Sequence, residues 1–264
     1  MHFYTYDDWV ANAYYSKDNK EIPIGQTAVY EVTSNTPRYL SIRSCWKNPR
    51  FISTYPGIPS IVPTEQKIDL DLGCICKLKD GTYKVYQYLG GDLGSVLDPP
   101  YIQLDDGEEK YDSFTDMNKE IMNMNIKIDG IADIYDSAII FQSVYSGAIS
   151  FQQCDSCLEF FFTNVPSTLD GVEYPNYDYI SYDYKINTNL YSDTSLMIAA
   201  AKIEFDNTNT RKYIRIENLS KFVYGQEDLA RTFGYGDIRW KSFQPPKGAS
   251  PMPSSIMHYA KRAE

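Results

Sequence analysis

Apolar and polar residues alternate with period two at the start of "IDLDLGCICKLKDGTYKVYQYLG", residues 68 to 90. In an extended chain this spacing puts Ile68, Leu70, Leu72, Cys74, Cys76 and Leu78 on one side and Asp69 with Asp71 on the other. A half-buried strand is predicted whose polar face carries two neighbouring carboxylates. Alternating, β-branched or aromatic runs recur at 27–33, 38–46, 82–90, 137–147, 157–165, 177–186, 196–205 and 211–223. "KDGT", "LDG" and "FDNTNT" punctuate them as turns. Short strands without strand–helix–strand units predict an all-β, antiparallel sandwich or barrel.

Helical signals are short. Residues 5–15 fit an initial amphipathic turn or two, and 225–234 opens with acids and ends on Gly234, as a capped helix does. Four prolines interrupt 48–66, and 243–264 is rich in Pro and Ser, either disordered or an arm that orders on a neighbour. No repeat of fixed period stands out. The economical organisation is an N-terminal extension (1–21), one β domain (22–243) and a C-terminal tail (244–264).

Composition narrows the function classes. The chain of 264 residues is 43% hydrophobic and 23% charged, enough to bury a core, and its 24 Tyr are in excess of ordinary usage. A net charge of −10 without a long Lys/Arg run argues against nucleic-acid binding. No apolar stretch reaches the roughly 20 residues of a membrane span, and the first residues lack a signal-peptide pattern, so a cytoplasmic protein is expected. Tyr174, Tyr177, Tyr179, Tyr182 and Tyr184 are read as a structural or protein-contact stripe. Other proteins, within an assembly, are the expected partners.

The five cysteines, at 45, 74, 76, 154 and 157, are read as mostly reduced. Cys154 and Cys157 form a CxxC, but there is no second Cys pair and the two histidines are His2 and His258, so the motif reads as two thiols near a turn. Catalysis is not expected: no GxSxG or HExxH occurs, and "YLGGDLGS" lacks the Lys of a phosphate loop. Paired carboxylates would serve glycoside hydrolysis only beside a sugar cleft.

The acids give the clearest chemistry. Asp69 and Asp71 share a strand face, and the segment 97–120, read as a loop, adds Asp105, Asp106, Glu108 and Glu120 among others. Clustered carboxylates repel unless protonated or neutralised by a cation. Hard oxygens around Gly107 suit Ca2+, although the spacing is not that of an EF-hand.

The segment "IDLDLGCICKLKDGTYKVYQYLGGDLGSVLDPPYIQLDDGEE" resembles the TerD-domain family of tellurium-resistance and stress proteins, in its TerA-like branch. The resemblance extends over roughly 22–243: "IPIGQTAVYEV" and "YLSIRSCW" are similar to its opening strands, "SAIIFQSVYSG" and "LMIAAAKIEFDN" to core strands, and "EDLARTFGYGDIRW" to its closing helix and Trp. It implies a TerD-like β-sandwich that binds calcium at one end. Carried over residue by residue, Asp69 and Asp71 match the DxD, Asp105 the first loop acid and Glu120 an acid at the loop's end. Gly107 stands where a second loop acid is expected, and Tyr145-Ser146-Gly147 replaces a Tyr-acid-Gly. Residues 148–195 form a longer insertion than the family's. Two expectations follow: a non-enzymatic, calcium-binding module in stress response or assembly, or a structural subunit of a phage virion or other particle using the same sandwich for protein contacts.

Overall fold

The alternating runs fold as the strands their patterns predict, and the way those strands pair decides which residues meet. The computed structural model describes residues 20–48, 50–51, 64–65, 67–87, 93–104, 110–112, 117–146, 151–164, 168–169, 172–173, 183–190, 195–208 and 211–234. In chain order the strands are β1 (Lys20–Glu21), β2 (Thr27–Val32), β3 (Tyr39–Trp46), β4 (Arg50–Phe51), β5 (Thr64–Glu65), β6 (Asp69–Leu78), β7 (Tyr83–Gln87), β8 (Ile102–Leu104), β9 (Lys110–Asp112), β10 (Met117–Asn125), β11 (Tyr135–Ser146), β12 (Cys157–Thr163), β13 (Thr168–Leu169), β14 (Val172–Glu173), β15 (Tyr184–Asn187), β16 (Met197–Thr208) and β17 (Arg211–Val223). Two short helices, α1 (Ile131–Ile134) and α2 (Gln226–Thr232), complete the described elements together with a 3-10 turn at Phe151–Cys154.

Two sheets form an all-β sandwich. The first runs β1-β15-β12-β3-β10-β8, with β9 also on β10; the second runs β2-β17-β16-β11-β6-β7. Pairing within both is antiparallel except where Lys20 and Glu21 lie parallel to Tyr184 and Lys185. Leu40, Ile42, Met122, Met124, Leu158 and Phe160 of the first sheet pack against Leu72, Cys74, Cys76, Ile140, Ile203 and Ile216 of the second. Cys74 and Cys76 are therefore core residues, as the alternation predicts. Burial of such side chains is worth about 1.5–3 kcal/mol each, which makes this layer the main source of stability.

Most predicted strands appear within a residue or two of their expected bounds. The stretch expected at 177–186 is described only at its end, where β15 forms. Residues 5–15 and the tail lie outside the described residues. The segment 97–120 requires a correction, because it is not wholly a loop: β8 lies in it, and β10 begins at Met117 and runs between β3 and β8. Both faces of β10 are buried, and both carry polar side chains: Asn118, Lys119, Glu120 and Asn123 are each 5% exposed or less. Polar residues on both faces erase the period-two signal, and Asn is a poor strand former.

The "PPYI" motif is a structural corner. The Pro99–Pro100 peptide is cis, Tyr101 takes a φ of 65°, and its N–H donates to the Asp98 carbonyl at 2.6 Å. The Tyr135 hydroxyl donates to the Pro100 carbonyl, and Asn125 Nδ2 to the Val96 carbonyl at 3.1 Å. Ile102 then enters the core. Helix α2 begins after Gly225, where Asp228 Oδ2 accepts the Tyr224 N–H at 3.0 Å. Gly234, whose φ is 72°, follows just past the helix's C-cap Phe233, as the sequence predicts.

Candidate cation site

The entry to β6 is pinned from the other sheet. Trp46 Nε1 donates to the Ile68 carbonyl at 2.9 Å, and the Ile68 N–H donates to Asn48 Oδ1 at 2.9 Å. Immediately after this clamp come Asp69 and Asp71, on the face of β6 opposite the core residues Leu70 and Leu72. On β11, Ser146 pairs with Asp69 and Ser143 with Asp71, with a register shift between Val144 and Ser146. The extra residue in that shift is Tyr145, so the bulge keeps both serines abreast of the aspartates.

Both carboxylates are half-buried. Burial, with the nearby charge of Asp69 adding to it, pushes the Asp71 carboxyl up to about 7. Asp69 is also raised, by burial. The desolvating surroundings are visible along the same face. Gly73 follows Asp71, and the ring of Phe141 lies over it so closely that a Cβ there would stand 2.1 Å from the ring's Cζ. Beyond it Ile75, Ile139 and Phe141 pack with Val223 and with Leu229 and Ala230 of α2. The glycine in "DLDLGC" thus lets an apolar ring close over the strand position next to Asp71 on this face.

Glu120 sits elsewhere. It pairs with Ser44 on β3, whose hydroxyl accepts from Gln142 Nε2 across the sandwich at 2.6 Å. From this inner side, Glu120 Oε2 accepts the Leu72 N–H at 2.6 Å. The hydrogen bond ties β10 to β6 next to Asp71. Asp105, Asp106 and Glu108 lie outside the described residues. The structure therefore brings together Asp69, Asp71, Ser143 and Ser146, with Glu120 supporting the strand that holds the aspartates. Two carboxylates and two hydroxyls are hard oxygen donors, so the donor set fits Ca2+ rather than a soft metal. Ser143 drew no attention in the sequence, because its place beside Asp71 depends on strand register.

The CxxC cysteines part company. Cys154 packs with Trp46, Ile68, Leu70 and Phe151 at one end of the core, whereas Cys157 pairs across β12 with Cys45 of β3. Among the described residues, Cys45, Cys157 and Glu159 are the group of three potential metal-ligating side chains whose donor atoms lie within 4.8 Å of one another. Linear spacing could not reveal this group, since two distant strands supply it.

No protein-family model matches the chain. It is 28% identical over 178 residues to the tellurium resistance protein TerA of Alcaligenes sp., a match covering 67% of this chain and 44% of that protein. The chain thus spans less than half the length of the curated relative it matches. A crystal structure of SAV2460, a protein of unknown function, is similar over 71% of this chain and 93% of that one, with a TM-score of 0.37 and 14% identity. The TerA match supports a distant, TerD-like relationship, in line with the motifs. No helix among the described residues is long and apolar enough to cross a membrane.

Proposed function

We propose that this chain is a non-enzymatic, calcium-binding TerD-like module serving a stress response or a protein assembly in the cytoplasm. The observation that carries the reading is the Asp69 and Asp71 pair, half-buried beside an apolar face and raised in pKa. Two such carboxylates favour either a shared proton or a cation, and at neutral pH a divalent cation relieves both charges together. Ser143 and Ser146 add neutral oxygens from β11, and Asp105, Asp106 and Glu108 are the acids proposed to complete the six to eight oxygens that calcium takes. Because Gly107 and Ser146 stand where acids are expected, the site has fewer negative charges than the pattern implies, which puts its affinity toward the weaker end of calcium modules, roughly 10⁻⁵–10⁻³ M. The similarity to TerA supports a setting in tellurium resistance or related stress.

Calcium titration of the metal-free chain tests the proposal. Binding to the folded state alone at about 100 times Kd stabilises by roughly 2.7 kcal/mol, a rise in Tm of about 5–10 °C. The rise is expected to vanish in the double variant Asp69→Asn/Asp71→Asn. An unchanged Tm at about 100 mM calcium, roughly 100 times the weakest Kd in this range, or a rise that survives the double variant, counts against the site.

A further inference from the structure

The outer face of the first sheet holds a second set of ligating groups, independent of the calcium reading. The register of β3 with β12 sets Cys45 opposite Cys157 and Arg43 opposite Glu159. Cys45 Sγ donates to Glu159 Oε2 at 3.5 Å, and Arg43 donates to the same oxygen through Nε at 2.9 Å and Nη2 at 2.6 Å. Exposure is 4% at Cys45, 3% at Cys157 and 7% at both Arg43 and Glu159, so these polar groups are withheld from water. The Arg43 guanidinium also lies 5.4 Å from the centroid of the Phe161 ring, which steadies it. Along β3's other edge, the register places Lys119 opposite Cys45.

We propose that Cys45, Cys157 and Glu159 form a binding site for a zinc-class divalent transition-metal ion. Two thiolates and a carboxylate are a three-ligand protein set for such an ion, leaving a fourth tetrahedral position for water. In a tetrahedral site with bonds of about 2.0–2.3 Å, neighbouring ligand atoms stand roughly 3.3–3.8 Å apart. Donor atoms already within 4.8 Å of one another need to close by only about 1 Å.

The charge arithmetic fits a buried site. Without metal, two neutral thiols, the Glu159 carboxylate and the Arg43 guanidinium sum to zero. With a dication and two thiolates the sum is again zero, because one ion replaces two protons; Lys119 enters both sums equally. Because the net charge of the site is the same in both states, metal binding adds no uncompensated buried charge. Arg43 remains beside the carboxylate and orients it from outside the ligand set, as outer partners do in metal sites. In the metal-free state the Cys45 thiol is held protonated by its hydrogen bond to Cys157 and by burial, with the Glu159 charge adding to the effect. Metal binding is thus a proton-releasing exchange.

The test uses the full chain, reduced and metal-free, with Co2+ as a spectroscopic substitute for Zn2+. The expected result is one equivalent bound, a thiolate-to-cobalt charge-transfer band, two protons released per ion and loss of the band on adding Zn2+. Cys45→Ser and Cys157→Ser should each abolish the band, and Cys154→Ser should leave it. Calcium should not displace the cobalt, and Asp69→Asn/Asp71→Asn should leave the band intact. A folded, reduced wild-type chain that gives no band at stoichiometric cobalt overturns the proposal. So does a band that persists in Cys45→Ser and Cys157→Ser. The wild-type band and proton count decide the matter even where a serine variant fails to fold.

Discussion

At the scale of single residues, the consequential feature is a carboxyl whose folded-state pKa lies above its ordinary value. Asp71 moves from 3.8 to about 7, chiefly through burial and secondarily through Asp69. A raised pKa means the folded state holds the proton more tightly than the unfolded chain. This contribution to stability is complete below about 3.8 and is lost as pH rises through about 7. In calcium-free buffer the chain should therefore be less stable at pH 8 than at pH 5. Asp71→Asn removes the ionisation and is expected to stabilise the metal-free chain at pH 8 by about 1–3 kcal/mol while flattening the slope between pH 4 and 7. Denaturant unfolding of both chains across that range checks this, and parallel pH curves would show that Asp71 ionises without cost. Gly73 lies next along this face, where its missing Cβ admits the Phe141 ring.

At the scale of elements, strands with one apolar face were readable, and their partners were not. Alternation in "IDLDLGCICKL" identified β6 and both of its faces, and the runs for β3, β11, β12, β16 and β17 were equally plain. The central strand β10 escaped because "MNKEIMNMN" places polar groups on both faces of a position buried on both sides. What satisfies those groups is tertiary: Asn123 Oδ1 accepts from Ser41 Oγ at 2.5 Å, and Glu120 accepts the Leu72 N–H. The candidate site divides along the same line. The aspartate pair was legible, since two residues two apart on one strand share a face wherever that strand packs. The serines opposite them, and the meeting of Cys45 with Cys157, follow from register between strands far apart in sequence. The link between β10 and β6 has a measurable cost. Glu120→Ala leaves the Leu72 N–H without its carboxylate partner inside the sandwich, and a destabilisation of about 1–3 kcal/mol is expected. Amide exchange at Leu72 should accelerate in the variant beyond what the global loss explains; unchanged exchange there would place the bond among the dispensable ones.

At the scale of the whole molecule, the two ligating sets occupy the outer faces of opposite sheets and differ in chemistry: hard oxygens on the second sheet, thiols with a carboxylate on the first. The shared core between them, which Trp46 crosses to hold Ile68, gives both sets a rigid support without making them one site. The remaining sequence features bear on partners. The Pro/Ser-rich residues 244–264 have the composition of a segment that orders against a neighbour rather than of a packed core. If the module works within an assembly, those residues supply the contact, and the sandwich should be stable without them. Sedimentation of the intact chain and of a chain ending at Phe243 separates the two roles. An assembly function predicts a concentration-dependent species larger than a monomer for the intact chain and a folded monomer for the shortened one. Two monomers with the same calcium response would instead assign the function to the sandwich alone, because removal of the tail would then alter neither association nor binding.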